Sequence, residues 1–226
     1  VEMFPETSDL RYQVALSLRS QGNHQAAVAE LQRLVHNNPE DLIALNYLAE
    51  EYAALEDWNQ AVAAYRSILK MEPTRYDVRK RLVKYYLEHG LYEQAMAEIR
   101  ALPEGDFERG AFTYKIIERC LEENHTVEAR TYIDALPEDD DRLVSFRKEL
   151  FKRYLDLGDL AQADSIVTLI PRSDKERNKL ITRLMELYLN AANMDSAVSL
   201  IDRLPADDSL RLSFQRRLIN SYQEAG

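Results

Sequence analysis

Histidine, cysteine and carboxylate side chains are the groups in this sequence whose chemistry could support catalysis or metal binding. No two of the four histidines recur at the spacing that would place two metal ligands on one helix face. The single cysteine, Cys120, excludes an internal disulfide and any site with several thiolate ligands. A glycine-rich phosphate loop and a His-Glu-x-x-His stretch are both missing. We therefore predict no catalytic residue, no metal and no cofactor, and we expect that the chain is not an enzyme. The histidines are His24, His36, His89 and His125.

Three acidic clusters also carry oxygen atoms that a calcium ion could use. They are Glu104-Gly105-Asp106, Glu138-Asp139-Asp140-Asp141 and Asp207-Asp208, and each follows a proline. The regularly spaced ligands and the bidentate glutamate of a calcium-binding loop are missing from all three. Carboxylates that precede a helix accept hydrogen bonds from its first N–H groups and complement its dipole. We expect these clusters to begin helices.

A sequence repeat with a constant interval of 34 residues defines the elements that carry these side chains. One alanine recurs at this interval, and an aliphatic residue lies seven positions after each alanine, two helical turns along the same face. A turn position rich in glycine recurs at the same interval, as expected where a helix ends in the left-handed conformation. Each unit is therefore predicted to be two amphipathic helices with the alanine at their close contact. The alanines are Ala27, Ala61, Ala95, Ala129, Ala163 and Ala197; the aliphatic residues are Leu34, Ile68, Leu102, Leu136, Ile170 and Leu204; the turn residues are Gly22, Glu56, Gly90, Asn124, Gly158, Ala192 and Gly226.

The prolines mark the end of the second helix of each unit, because proline lacks an N–H and clashes with the preceding helical turn. They form two series that keep the interval of the alanines, and the second series lies four positions earlier in the unit. This shift predicts two subtypes of repeat that meet near residue 76. The first series is Pro5, Pro39 and Pro73, and the second is Pro103, Pro137, Pro171 and Pro205.

The segment Asn46-Tyr47-Leu48-Ala49-Glu50-Glu51-Tyr52, followed by Trp58, Ala61, Tyr65, Ile68 and Pro73, closely resembles the tetratricopeptide repeat family. The resemblance covers nearly the whole chain. It implies an all-α fold, a right-handed superhelical solenoid of antiparallel helix pairs. In this register, residues 1–7 are the remnant of a preceding repeat and residues 8–75 are two units close to the family consensus. Residues 76–211 are four variant units, and residues 212–226 are the first helix of a truncated seventh unit in one continuous solenoid.

In members of this family the first helices of the units line an inner face along which peptide ligands often lie. The resemblance therefore implies a binding face whose later units are rich in cations and whose first two units offer an aromatic and amide surface suited to a peptide anchor. Acidic residues on the same face reduce its summed charge to +2, so a solvated surface and a cationic stripe for an acidic segment both stay open. The cations are Lys80, Arg81, Lys84, Lys115, Lys148, Lys152, Lys179, Arg183, Arg216 and Arg217; the anchor residues are Tyr12, Asn46 and Tyr47.

Composition bounds the function further. A net charge of -10 and a pI near 5.0 disfavour a protein that coats nucleic acid, so no nucleic-acid partner is expected. No apolar run approaches the roughly 20 residues of a membrane helix, so no membrane span is expected.

The leading hypothesis for the function is a scaffold that binds another protein through its groove or edge, by way of an acidic segment of that partner. The alternative, by similarity to bacterial exopolysaccharide export scaffolds, is a periplasmic repeat region that recruits a polymer-modifying enzyme or contacts anionic polysaccharide. The third hypothesis is an architectural spacer between flanking domains. The sequence does not decide between a periplasmic and a cytoplasmic location.

Overall fold

The computed structural model describes residues 5–225, with side chains from residue 8 to residue 223. Residues 1–4 of the predicted remnant and the turn position Gly226 lie outside the described residues. Between residues 5 and 225 the chain forms helices and connecting turns with no strand, so the predicted all-α fold class is confirmed. The thirteen helices in this range are α1 (Pro5–Ser20), α2 (His24–Asn37), α3 (Leu42–Ala54), α4 (Trp58–Met71), α5 (Tyr76–Glu88), α6 (Tyr92–Arg100), α7 (Phe107–Glu122), α8 (Thr126–Asp134), α9 (Leu143–Asp156), α10 (Leu160–Val167), α11 (Arg177–Asn190), α12 (Met194–Arg203) and α13 (Ser209–Ala225).

Two compact units divide the chain, unit 1 over residues 1–113 and unit 2 over residues 114–226. Each has its own core, built where the two helices of a pair meet. The repeated alanine is fully buried in every pair, three times in unit 1 and three times in unit 2. Because alanine has the smallest apolar side chain, the second helix approaches the first closely and larger residues fill the space beside it. The predicted division into repeat subtypes at residue 76 stays a prediction.

The connection inside each pair contains one residue in the left-handed conformation. Gly22, Gly90 and Gly158 have φ values of 73°, 67° and 73°. Glu56, Asn124 and Ala192 occupy the same place with φ values of 59°, 60° and 53°, although their Cβ atoms disfavour this conformation. The following N–H then reaches back to the first helix, as from Asn23 to the carbonyl of Leu18 at 2.9 Å. The turn is thus set by backbone geometry and tolerates several residue types.

The second helices fall into two length classes. Those of the first two pairs, α2 and α4, contain 14 residues each, whereas α6, α8, α10 and α12 contain 9, 9, 8 and 10. The shorter helices are the ones followed by the earlier proline series. The residues that follow each shorter helix form a Pro-x-x-Asp turn. In all four copies the aspartate N–H donates a hydrogen bond to the proline carbonyl at 3.0 Å. The aspartates of these turns are Asp106, Asp140, Asp174 and Asp208.

Unit 1 also buries a carboxylate between its first helices. Glu51 in α3 is 2% exposed, and its oxygens lie 2.7 Å from Nε of Arg19 and 2.8 Å from Nδ1 of His24. A second nitrogen of Arg19 lies 2.8 Å from Glu50, and the guanidinium stands 4.7 Å from the centre of the Tyr47 ring. A buried charge is tolerated when it is paired and hydrogen-bonded in this way. The network ties α1 and α2 to α3.

Replacing Ala192 with glycine should stabilise the chain, since glycine adopts a positive φ without a Cβ clash. We expect the free energy of unfolding to rise by about 0.5 kcal/mol, because the greater freedom of glycine in the unfolded chain offsets part of the gain. Urea denaturation followed by circular dichroism measures this change. The neighbouring Ala191→Gly, at a φ of -83°, is the matched control and should lower stability. A decrease of similar size for both variants would contradict the assignment of strain to residue 192.

Replacing Glu51 with alanine should destabilise the chain by about 2–3 kcal/mol, because Arg19 and His24 lose a buried acceptor. The midpoint of urea denaturation measures the effect. Glu40→Ala, at an exposed position before α3, should change stability by less than about 0.5 kcal/mol. An equal effect of the two substitutions would show that the Glu51 network contributes nothing specific.

Candidate functional site

Two of the predicted binding lysines are held in ion pairs. Nζ of Lys80 lies 2.8 Å from Asp106 and 2.6 Å from Glu108, and the Lys80 side chain is 19% exposed. Lys148 shows the same arrangement two repeats further along the chain, with Nζ 3.2 Å from Asp174 and 2.8 Å from Glu176. Each lysine therefore faces two carboxylates at the start of the next first helix. Its charge is neutralised locally, which leaves it poorly suited to attract a partner.

The carboxylates in these pairs come from the Pro-x-x-Asp turns. In each turn one aspartate oxygen accepts a hydrogen bond from the backbone N–H two residues on, at 2.8–2.9 Å. This agrees with the expectation that the acidic clusters begin helices. Midway between the two lysines, Tyr114 takes the equivalent place and donates its hydroxyl to Asp140 at 2.6 Å. In the last turn Asp208 lies 3.5 Å from Arg177. Asp106 and Asp208 directly precede α7 and α13, whereas Asp140 and Asp174 lie in the turns before α9 and α11. Each turn aspartate also contacts a side chain of the preceding repeat.

The protonation of these groups reflects the pairing. The hydrogen bond from Lys80 lowers the pKa of Asp106, and Asp106 and Glu108 in turn raise the pKa of Lys80. The backbone N–H of Glu176 is the main cause that lowers the pKa of Asp174, and Lys148 contributes to it. Lys148 also lowers the pKa of Glu176. All of these shifts favour the charged forms.

Four other predicted cations make single ion pairs on exposed surfaces. Arg81 lies 2.9 Å from Glu50, and Lys152 lies 3.7 Å from Glu149. Glu186 is shared by Arg183 at 3.8 Å and Arg217 at 3.1 Å. Such pairs contribute little to stability and exchange readily with other partners. The remaining cations are exposed and have no ion pair among the residues that the structure describes: Lys84, Lys115, Lys179 and Arg216.

The predicted anchor residues in the first two units are engaged within unit 1. Tyr12 lies beside Asp41. Burial is the main cause that raises the pKa of Tyr12, and the Asp41 carboxylate raises it further. The amide of Asn46 donates to Glu50 at 3.1 Å, and the ring of Tyr47 lies under Arg19. These contacts hold the three side chains in the fold. The part of the face in unit 1 therefore offers fewer free groups than the sequence predicts.

Unit 2 contains a cleft between α9 and α11, two successive first helices. The cleft has a volume of about 590 Å³, and Leu155 and Leu180 supply apolar surface to its lining, which also includes the fully buried Phe151. Lys152, Lys179 and Arg183 line the same cleft and are exposed. We call this feature the cationic cleft. It brings together three of the predicted binding residues, and it adds Leu155 and Leu180, which the sequence analysis did not place among the binding residues.

Other chemistry has little support among the described residues. Cys120 is fully buried, and burial, with smaller contributions from Glu128 and Glu123, raises the pKa of its thiol to about 12. Within the described part of the chain no group of three or more histidine, cysteine or acidic residues could hold a metal ion. No helix in that part is long and apolar enough to cross a membrane.

Comparison with known proteins agrees with this architecture. Two tetratricopeptide repeat models match the chain, one over residues 12–54 and the other over residues 52–112. The tetratricopeptide assignment is therefore supported. Proteins with these repeats generally mediate protein–protein interactions. No curated protein sequence matches the chain.

Solved structures resemble the chain at low sequence identity. A structure of Naa15/Naa10 bound to HypK-THB matches with a TM-score of 0.60 and 15% identity, over 96% of this chain and 34% of that one, so this chain spans about a third of it. At this identity the likeness supports the fold. A MamA protein matches with a TM-score of 0.49 and 13% identity, over 84% of this chain and 96% of that one. A tetratricopeptide repeat protein from Parabacteroides merdae matches with a TM-score of 0.47 and 13% identity, over 95% and 85% of the two chains.

The ion pairs at the Pro-x-x-Asp turns predict a specific pH dependence of stability. Because the pKa values of Asp106 and Asp174 are lowered in the fold, their pairs contribute fully above the unfolded value of about 3.9. The contribution is lost as the pH falls through the folded pKa values. Urea midpoints measured between pH 6 and pH 2.5 should fall less steeply for the double variant Asp106→Asn with Asp174→Asn than for the unmodified chain.

Removing the other partner gives an independent check of the same pairs. The double variant Lys80→Met with Lys148→Met should also flatten the acid dependence, but less, because the backbone N–H of Glu176 continues to lower the pKa of Asp174. Acid curves that keep the unmodified slope in both double variants would contradict the pairing.

Proposed function

We propose that this chain is a non-catalytic scaffold that binds another protein, and that the cationic cleft of unit 2 receives an acidic, partly apolar segment of that partner. The observation that carries the proposal is the cleft itself, which combines partly exposed apolar side chains, Leu155 and Leu180, with three exposed cations. Burial of apolar side chains supplies affinity, while charges at the rim supply orientation and speed of association.

The charge distribution favours an acidic partner at this place. The chain as a whole carries -10, so its net charge does not by itself attract an acidic segment. Within the cleft lining, Lys152, Lys179 and Arg183 stand against one carboxylate, that of Glu186. Lys179 has no ion pair among the described residues, and Glu186 lies at 3.8 Å from Arg183, so little must be broken when a partner carboxylate binds.

The proposal assigns no binding role to Lys80 and Lys148, the two lysines that pair at the Pro-x-x-Asp turns. Because Lys80 and Lys148 hold the start of the next repeat, substitutions there change the fold and binding together. Substitution of the three cations of the cleft tests binding without removing an ion pair of the Pro-x-x-Asp turns.

The test is a binding measurement with the triple variant Lys152→Ala, Lys179→Ala and Arg183→Ala. The probe is a fluorescein-labelled peptide of alternating glutamate and leucine residues, titrated with the chain and followed by fluorescence anisotropy. We expect the triple variant to bind the peptide at least tenfold more weakly, a loss of about 1.4 kcal/mol. Added salt should lower the affinity of the unmodified chain toward that of the triple variant.

A control variant with the same change in net charge isolates the cleft. Lys70→Ala, Arg100→Ala and Lys175→Ala removes three exposed cations that do not line the cleft and should leave the affinity unchanged. Equal weakening by both triple variants would show attraction to overall charge and would contradict the proposal. Binding of alginate, tested in parallel, that is stronger than peptide binding and sensitive to the cleft variant would favour the polysaccharide alternative instead.

A further inference from the structure

A second cavity in unit 2 has a volume of about 330 Å³ and lies among the end of α10, the first half of α11 and the end of α12. Three arginines, Arg172, Arg177 and Arg203, belong to its lining, and we call it the arginine pocket. It shares no lining residue with the cationic cleft. Beyond it, α13 packs against both α11 and α12, so the pocket lies within the repeat array. Its volume is at the small end of the range for pockets that hold small molecules.

Arg177 is the buried arginine of this pocket. It is 8% exposed, and its Nε is buried without a hydrogen-bond partner among the described residues. Nη1 of Arg177 lies 3.5 Å from Asp208, which is longer than a well-formed charged hydrogen bond. A buried donor that has no acceptor is unfavourable. We therefore expect a molecule in the pocket to supply the acceptor.

The preceding repeat shows that the buried arginine is not required for packing. Leu143 takes the place of Arg177 there and is 2% exposed. A second position differs in the same region. Arg147 of α9 donates from Nη1 to the carbonyl of Leu169 at 3.1 Å, whereas the equivalent residue of α11 is Ile181, which is shorter and apolar. The exchange of arginine for isoleucine leaves space between α11 and the end of α12, where the pocket lies.

The charges around the pocket leave one cation without a counterion. Arg203 pairs with Asp164, and Arg177 lies near Asp208. Arg172 is exposed and has no ion pair within the part of the chain that the structure describes. The lining itself contains no carboxylate. One uncompensated positive charge matches a ligand with a single negative charge better than a doubly charged phosphate.

Apolar side chains supply accessible surface beside the arginines. Leu169 is 40% exposed, Pro171 is exposed and Pro205 is half-buried. Buried Ile181 and Leu200 are also part of the lining. An apolar group that lies against this surface is removed from water, which favours binding. The pocket therefore combines a site for one negative charge with a site for an apolar body.

We propose that the arginine pocket binds a small organic carboxylate, in which a single carboxylate is attached to an apolar body. The carboxylate accepts hydrogen bonds from the Arg177 guanidinium, in the two-point arrangement that these two planar groups favour. Arg172 balances its charge, and the apolar body lies against Leu169 and the two prolines. Because the pocket and the cationic cleft share no residue, binding at one site does not depend on the other.

Saturation-transfer difference NMR of the whole chain with sodium hexanoate tests the proposal. Hexanoate should bind saturably. Hexanamide and acetate should each bind at least about tenfold more weakly, because hexanamide lacks the charge and acetate lacks most of the apolar body.

Two substitutions in the pocket test the roles of its arginines. Arg177→Leu, which introduces the residue type of Leu143, should weaken hexanoate binding at least about tenfold, and circular dichroism verifies that the helices are kept. Arg172→Ala, at an exposed position, should weaken it at least about threefold. The matched control is Lys175→Ala, which removes an exposed cation from the same connection without touching the lining and should leave the affinity unchanged.

Several outcomes would overturn the proposal. They are the lack of saturable hexanoate binding, equal affinity for hexanamide, and full affinity in a folded Arg177→Leu chain. Equal weakening by Arg172→Ala and Lys175→Ala would show attraction to overall charge. Tighter binding of inorganic phosphate than of hexanoate would show that the apolar body plays no part in recognition.

Discussion

Close contact between the two helices of each pair is the constraint on which the structure depends. Six regularly spaced alanines, one in each pair, are all fully buried at that contact. With this distance fixed, the residues around the alanine vary widely without loss of burial, as Ala15 and Phe151 at equivalent places show. Function is then free to change on the exposed positions of the first helices, which the contact orients but does not use.

The Pro-x-x-Asp turn adds a second constraint in the later repeats. Its proline follows a second helix of only 8 to 10 residues. Its aspartate accepts a backbone N–H two residues further on and also contacts a side chain of the preceding first helix. One carboxylate thereby links two consecutive repeats. Lys80 and Lys148 are therefore paired at these turns, whereas other predicted cations, such as Lys179, have no ion pair among the described residues.

Much of the fold could be predicted from the sequence, because the helix-pair contact repeats and the prolines and turn residues are local signals. The left-handed turn was predictable even at Glu56 and Ala192, where residue type alone disfavours it, since the constant interval of the repeat places them. The site was less predictable. Sequence distance does not show that Lys80 meets Asp106 at the start of the next repeat, whereas Lys179 meets no carboxylate among the described residues. Leu180 was likewise hard to recognise as part of the cleft lining, because an apolar residue on an amphipathic helix reads as a core position.

The most direct test of the central claim is site-specific photocrosslinking in cells of the source organism, with p-benzoylphenylalanine in place of Thr182, which lines the cationic cleft. Mass spectrometry of the crosslinked products identifies the segment that occupies the cleft. The account predicts one dominant partner, crosslinked through an acidic segment, and no such product when the same residue replaces Lys70 on α4. A crosslinked segment that is not acidic, or the same product from both positions, would contradict it.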